Sequence, residues 1–129
     1  MFIDEIKKNV VANLNIDAWN KIMNHLLSNA LRFTNNLIEV RAKIYKNNII
    51  ITIHDNGIGI SQDDIKNVFN AFWHYDKTNR VNVPGFGLGL TISKLLLYKM
   101  DMTINIESEV NKFTTFTISI PIYEKKHSK

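Results

Sequence analysis

Asp55-Asn56-Gly57-Ile58-Gly59 puts a carboxylate and two glycines directly behind the β-branched run Ile49, Ile50, Ile51, Thr52 and Ile53. β-Branched residues fit a pleated, packed backbone, so the run predicts a buried strand that ends at Asp55. A carboxylate held there can accept a hydrogen bond from an exocyclic amine such as adenine N6. Gly57 and Gly59 would let a flat ring approach the backbone without meeting a Cβ atom. Asp-Asn-Gly is also ordinary turn chemistry, and on these residues alone a polar hairpin turn is the alternative.

A second glycine cluster, Gly85-Phe86-Gly87-Leu88-Gly89-Leu90, opens a segment carrying Leu88, Ile92, Leu95 and Leu96. Flexible backbone at a helix N-terminus offers unpaired N–H groups and the positive end of the dipole to a phosphate; the alternative is a glycine-rich turn before a core helix. Leu88, Ile92 and Leu95 themselves are expected in the core. A third group, His25, Asn29 and Arg32, stands four and three residues apart. That spacing projects all three from one side of a helix, where a polar row is usually just solvated.

The elements that must position these groups follow from periodicity. Residues 2–14 show poor periodicity and two possible short strands. Asp17 reads as an N-cap, and Trp19, Ile22, Met23, Leu26, Ala30 and Phe33 recur at threes and fours, predicting an amphipathic helix over 18–34. A strand over 37–46 turns at Lys46-Asn47-Asn48 into the Ile-rich strand as an antiparallel hairpin. Ser61 with Asp63 and Asp64 caps a short helix of about two turns through Ile65, Val68 and Phe69. From Asn70 to Pro84 periodicity is lost, and aromatics (Phe72, Trp73, Tyr75) mix with bases (His74, Lys77, Arg80). Loops of this length inside compact domains are commonly lids or disordered. A helix ending near Lys99 and two strands, about 102–108 and 113–121, complete the domain, the last with Phe116, Ile118 and Ile120 alternating inward. Residues 124–129 are a charged tail, expected to fray.

With 129 residues and 45% hydrophobic content, the chain supports one domain, 1–129, with a proper core. It has no cysteine, which excludes disulfides, thiolate metal sites and a cysteine nucleophile. Nothing at the N-terminus resembles a signal peptide, and no apolar run approaches the about 18 residues of a membrane span. A cytoplasmic setting without membrane contact is expected. The net charge of +4 suits phosphate-bearing ligands or an acidic partner but lacks the dense basic runs of nucleic-acid binders.

Taken in order, Asn29, Asp55-x-Gly57-x-Gly59, Phe69 with Phe72, and Gly85-x-Gly87-Leu-Gly89-Leu resemble the N, G1, F and G2 boxes of the catalytic ATP-binding domain of bacterial sensor histidine kinases. That branch belongs to the superfamily that also holds gyrase and MutL. The resemblance covers roughly residues 14–121, and Phe116-Thr-Ile-Ser-Ile-Pro121 is similar to the family's closing strand. It implies an α+β fold, a two-layer sandwich with a mixed, mostly antiparallel sheet and about three helices on one face. It implies ATP as substrate with Mg²⁺, Asn29 as the metal ligand, and Asp55 as the adenine reader with Gly57 and Gly59 as its clearance. Arg32, Lys77 and Arg80 fall where cations contact the phosphates, and Gly85, Gly87, Leu88 and Gly89 form the phosphate-binding backbone. Phe69 and Phe72 pack the base of the lid. Asn56 shapes the turn.

The sequence departs from the family pattern at several points. His25 stands at the first N-box position, where kinases usually have Asn and hydrolytic relatives a general-base Glu. This helix face therefore has no carboxylate to activate water, which argues against a self-sufficient ATPase. For His25 the resemblance leaves a bond to phosphate, to a metal-bound water, or a plain polar role. Met100-Asp101-Met102 replaces a glycine turn, and Lys112-Phe113 replaces the glycine before the closing strand. None of His25, His54, His74 and His127 has the acidic and Arg/Thr-Pro neighbours of a phosphorylated histidine. The expected activity is transfer of the γ-phosphoryl group to a histidine on a separate dimerisation domain of the same kinase, and through it to a response regulator. The chain is read as a catalytic domain without its substrate domain, either an excised fragment or a free-standing module. A nucleotide-binding regulatory module without transfer and an anti-sigma-factor-type serine kinase are the alternatives.

Overall fold

The computed structural model describes residues 2–4, 11–69 and 86–123. Five strands form one sheet in the order β1-β2-β3-β5-β4: β1 (Phe2–Asp4), β2 (Ile38–Tyr45), β3 (Asn48–Asp55), β4 (Thr103–Glu109) and β5 (Phe113–Pro121). β1 pairs parallel to β2 and every other pair is antiparallel, so the sheet is mixed. The helices are α1 (Ile16–Phe33), α2 (Gln62–Ile65) and α3 (Phe86–Lys99).

Register decides which side chains meet. Ile49, Ile51, Ile53 and Asp55 lie opposite Ile120, Ile118, Phe116 and Thr114 on β5, and Ile104, Ile106 and Ser108 of β4 join the same face. Strand side chains alternate between faces, so this set forms one apolar layer. Ile22, Leu26 and Ala30 of α1 and Leu90 and Leu97 of α3 pack into the same core cluster. The opposite face carries Arg41, Lys43, His54, Thr115, Thr117 and Glu107. This is the two-layer α+β sandwich expected from the resemblance. β3 is accordingly half-buried rather than covered on both sides: Ile49 and Ile53 are buried while Ile50 and Thr52 are only partly so. A continuous β-branched run does not distinguish one covered face from two.

Local chemistry explains the element ends. Asn15, not Asp17, caps α1, its Oδ1 accepting from Ala18 N–H at 2.9 Å. Asp17 sits within the first turn, where a negative charge complements the helix dipole. Lys46 and Asn47, with φ of 49° and 65°, make the two-residue turn between β2 and β3 that suits the strand twist. Ser61 caps α2 as expected, but α2 is a single turn, and the bonds Asn67 N–H to Asp64 O and Val68 N–H to Ile65 O continue it as tighter turns. α3 ends at Asp101 (φ 61°), with Met102 N–H bonded to Leu97 O at 2.9 Å and Asp101 N–H to Tyr98 O at 3.0 Å. That is a Schellman close with Asp where glycine is usual.

One core expectation fails. Ile92 is 47% and Leu95 57% exposed, while Leu90, Ser93 and Leu97 are buried. α3 is apolar around much of its circumference, so spacing could not pick the inward face; contact with α1 picks it. The Leu88 side chain lies outside the described residues, as does the whole stretch from 70 to 85 with its expected lid, and the tail from 124 to 129.

Candidate functional site

The apolar layer ends in a polar rung. Ile38, Asp55 and Thr114 are paired across β2, β3 and β5, and Ser108 of β4 pairs with Thr114. Asp55 is 4% exposed, Ser108 6% and Thr114 7%. Asp55 Oδ1 accepts from Gly57 N–H at 2.9 Å, its one hydrogen bond among the described residues. Burial raises the Asp55 pKa above the ordinary carboxylate value, and the Gly57 N–H and the neighbouring His54 only partly counter it. Thr114 and Ser108 share a hydroxyl–hydroxyl bond of 2.8 Å, and Ser108 Oγ also accepts from Ile60 N–H at 2.6 Å. Thr114 is the residue that sequence reasoning missed. Its signal was legible: it is in phase with Phe116, Ile118 and Ile120, a polar side chain in an inward-pointing row.

The loop after β3 is clamped from two sides. Ile58 N–H donates to Phe33 O at the end of α1 (3.2 Å), and Ile58 O accepts from Asn111 N–H in the β4–β5 turn (2.7 Å). Asn56 Oδ1 accepts from the N–H groups of Asn36 and Leu37 at 3.1 and 3.0 Å, so Asn56 does shape the turn. Gly57 and Gly59 serve this clamp directly. A Cβ at Gly57 would lie 1.8 Å from Phe33 O, and at Gly59, where φ is +71°, 2.1 Å from Glu109 O. The space that a side chain would fill is taken by the chain's own backbone, which is a different demand from the ring clearance expected of these glycines. A cavity of about 310 Å³ borders the loop, lined by Phe33, Thr34, Asn35, Asn56, Gly57, Ile58 and Asn111. It touches neither Asp55 nor Asn29 and is not assigned to the nucleotide.

α1 carries the polar row. Asn29 is 8% exposed. One turn earlier His25 is half-buried, with Nε2 shielded and without a partner among the described residues. Burial, and then the Arg32 guanidinium, hold the His25 imidazole below its ordinary pKa. Arg32 itself is exposed. The row is thus not uniformly solvated: Asn29 is buried, and His25 Nε2 is shielded from water without a partner among the described residues. A shielded atom of that kind costs about 1–3 kcal/mol unless a ligand meets it. Among the described residues there is no cluster of three or more His, Asp or Glu that could hold a metal by itself.

On the far side, Gly87, Leu88 and Gly89 form the first turn of α3. Thr91 Oγ1 ties α3 to Phe69 O at 2.7 Å, and Phe69 packs against the core with Lys94 Nζ 4.9 Å from its ring centre. Lys77, Arg80, Gly85 and Phe72 lie outside the described residues.

The fold and site define an α+β sandwich with a polar end to its sheet and a helix that carries a buried amide and a shielded imidazole nitrogen. A family model described as "Histidine kinase-, DNA gyrase B-, and HSP90-like ATPase" matches residues 15–124. The chain belongs to this family, as an ATP-binding domain of the histidine-kinase branch. It is 36% identical over 113 residues to sensor histidine kinase YcbM of Bacillus subtilis, covering 86% of this chain and 36% of that protein. To the signal transduction histidine-protein kinase ArlS of Staphylococcus haemolyticus it is 31% identical over 114 residues, covering 87% and 25%. The chain therefore spans about a third or less of these curated relatives. The mycobacterial sensor histidine kinase MprB shares the fold with a TM-score of 0.75 at 20% identity, covering 94% of this chain and 82% of the other. Full-length ShkA, solved in complex with AMPPNP, shares it at 0.77 and 19% identity, covering 98% and 26%. No described helix is long and apolar enough to cross a membrane.

Proposed function

We propose that this domain binds ATP with Mg²⁺ and donates the γ-phosphoryl group to a histidine on the dimerisation domain of its kinase, from which a response regulator is served. The observation that carries this reading is Asp55, a carboxylate 4% exposed at the end of β3 whose one side-chain hydrogen bond among the described residues comes from Gly57 N–H. An isolated carboxylate is costly to bury, and an adenine amine donating to it would offset that cost. Asn29 holds the metal through its amide oxygen; a hard cation that keeps several waters and takes most of its ligands from phosphate oxygens needs little more from the protein. The metal supplies charge neutralisation on the phosphates. Arg32, with Lys77 and Arg80, adds positive charge there, and the backbone N–H groups of Gly85, Gly87, Leu88 and Gly89 donate to the phosphate oxygens.

Transfer then depends on position. A nitrogen of the acceptor imidazole attacks the γ-phosphorus in line, the bond to the ADP oxygen breaks, and the imidazole gives up its proton. No carboxylate stands on the His25–Asn29–Arg32 face to activate water in place of the acceptor. The test mixes the chain with labelled ATP and a separately expressed helical hairpin from a histidine kinase. Acid-labile label on the hairpin is expected. Acid-stable label would point to a serine kinase, and nucleotide binding without transfer to any hairpin would leave a regulatory binding module.

A further inference from the structure

The cavity of about 310 Å³ that borders the loop after β3 has the clamp of that loop for its walls. Phe33, whose carbonyl accepts from Ile58 N–H, and Asn111, whose N–H donates to Ile58 O, both line it, as does Ile58 itself. Thr34, Asn35 and Asn56 add polar side chains. None of the lining residues is ionisable, so the cavity lacks the charge that a phosphate or a metal ion would call for. The Asn56 carboxamide is largely used within the chain: Oδ1 accepts from the Asn36 and Leu37 N–H groups, and Nδ2 donates to Asn36 Oδ1 at 2.7 Å. Thr34 Oγ1 commits its one proton by donating to Leu37 O at 2.8 Å, and so has only lone pairs for an occupant. Asn35 and Asn111 are exposed, and each carboxamide carries an N–H donor beside a carbonyl acceptor. The volume equals roughly ten waters at about 30 Å³ each, room for a molecule of about a dozen non-hydrogen atoms.

We propose that this cavity is a second binding site, separate from that of the nucleotide, for a neutral polyhydroxylated ligand of monosaccharide size, and that its occupant raises ATP affinity through the clamped loop. Vicinal hydroxyls each donate and accept, which suits the adjacent donor and acceptor of a carboxamide, and the C–H face of a sugar ring suits the apolar Phe33 and the 39% exposed Ile58. An occupant that bridges Asn35, just beyond α1, and Asn111, in the β4–β5 turn, holds the loop between them. Gly57 N–H, in that loop, donates to Asp55 Oδ1 at 2.9 Å, so a stiffer loop leaves Asp55 better placed for the adenine amine. The coupling rests on the ATP-binding reading above; the binding site does not.

The test titrates the ¹⁵N-labelled 129-residue chain with glucose, galactose and N-acetylglucosamine, and with a phosphorylated glucose as the charged comparison, and follows it by nuclear magnetic resonance. At least one neutral sugar should shift the side-chain amide signals of Asn35 and Asn111 and the backbone signals of Gly57 and Ile58, saturating at roughly millimolar concentration. The phosphorylated sugar should bind about tenfold or more weakly, since its charge finds no partner. Asn35→Ala and Asn111→Gly, the second chosen because Asn111 has a φ of 62°, should each weaken the sugar by about tenfold and leave ATP affinity in the absence of sugar unchanged. Saturating sugar should raise ATP affinity about fivefold, and ATP should raise sugar affinity by the same factor. No saturable shift with any of the three neutral sugars, shifts that survive both variants, or displacement of the sugar by ATP would overturn the site. Unchanged ATP affinity with sugar bound would overturn the coupling. A chain that binds the sugar but no nucleotide would remove the ATP-binding reading and the coupling with it, and leave the site standing. The wild-type titration alone can overturn the site, so nothing depends on how well the variants fold.

Discussion

Asp55 joins two opposing demands in a single side chain. Its pKa is raised in the folded state, chiefly by burial, so the ionised form works against folding at neutral pH. Asp55→Asn keeps an acceptor for Gly57 N–H but removes that penalty. The variant should therefore be more stable than wild type at pH 7 without nucleotide. The gain should shrink as pH falls through the raised pKa and be absent below the ordinary carboxylate value, where both states bind the proton. Urea denaturation across that window checks it. With ATP the order should reverse, because the acceptor for the adenine amine is compromised: calorimetry should show affinity lower by about ten- to a hundredfold, for a lost bond of about 1.5–3 kcal/mol. A variant that binds ATP like wild type removes Asp55 from the site. His25 titrates in the opposite sense. Its depressed pKa favours folding above its ordinary value and loses that contribution as pH falls, so wild type should weaken relative to His25→Asn on acidification below about pH 6.5.

At the scale of elements, backbone meeting backbone matters more than side-chain chemistry. The Gly57 position has no room, since the oxygen that a Cβ would strike belongs to the last turn of α1. Gly57→Ala should cost about 3 kcal/mol or more, the upper end of overpacking penalties, seen as a shifted denaturation midpoint in the nucleotide-free chain. A midpoint like that of wild type would mean that α1 and the loop are not fixed together. Asp101 closes α3 at a φ of 61°, which glycine adopts without strain. Asp101→Gly should thus stabilise by about 1 kcal/mol and raise Tm by a few degrees. Leu95, 57% exposed on the outer side of α3, should accept Lys within about 0.5 kcal/mol in the isolated chain.

For the whole molecule, the expected behaviour is that of a nucleotide-binding domain whose stability is linked to its ligand. ATP with Mg²⁺ at a hundred times its Kd should add about 2.7 kcal/mol, on the order of 10 °C in Tm for a domain of this size. Hydrolysis by the chain alone should stay near background, because the face bearing His25, Asn29 and Arg32 holds no general-base carboxylate. Steady release of phosphate from the isolated chain would show that a base had been overlooked. The matched stretch makes up 36% and 25% of these two relatives.

Periodicity and box order alone determined the helix over most of α1, the β2–β3 and β4–β5 hairpins, the inward row of β5 and the family. Those features are local or ordered along the chain, and a repeat of two or 3.6 residues is legible without a partner. Tertiary structure decided what depends on the partner. Which side of α3 faces inward was hidden because leucines lie on several of its sides, and α1 settles it. That Thr114 and Ser108 stand beside Asp55 is a matter of strand register, which a single strand does not carry. The glycines of the loop are required by the carbonyls of Phe33 and Glu109, 24 residues before Gly57 and 50 after Gly59, and no local pattern reports such an approach. The polar row on α1 reads in sequence as solvated surface. Only packing buries Asn29 and shields His25 Nε2 from water, because both depend on what the rest of the chain lays against α1.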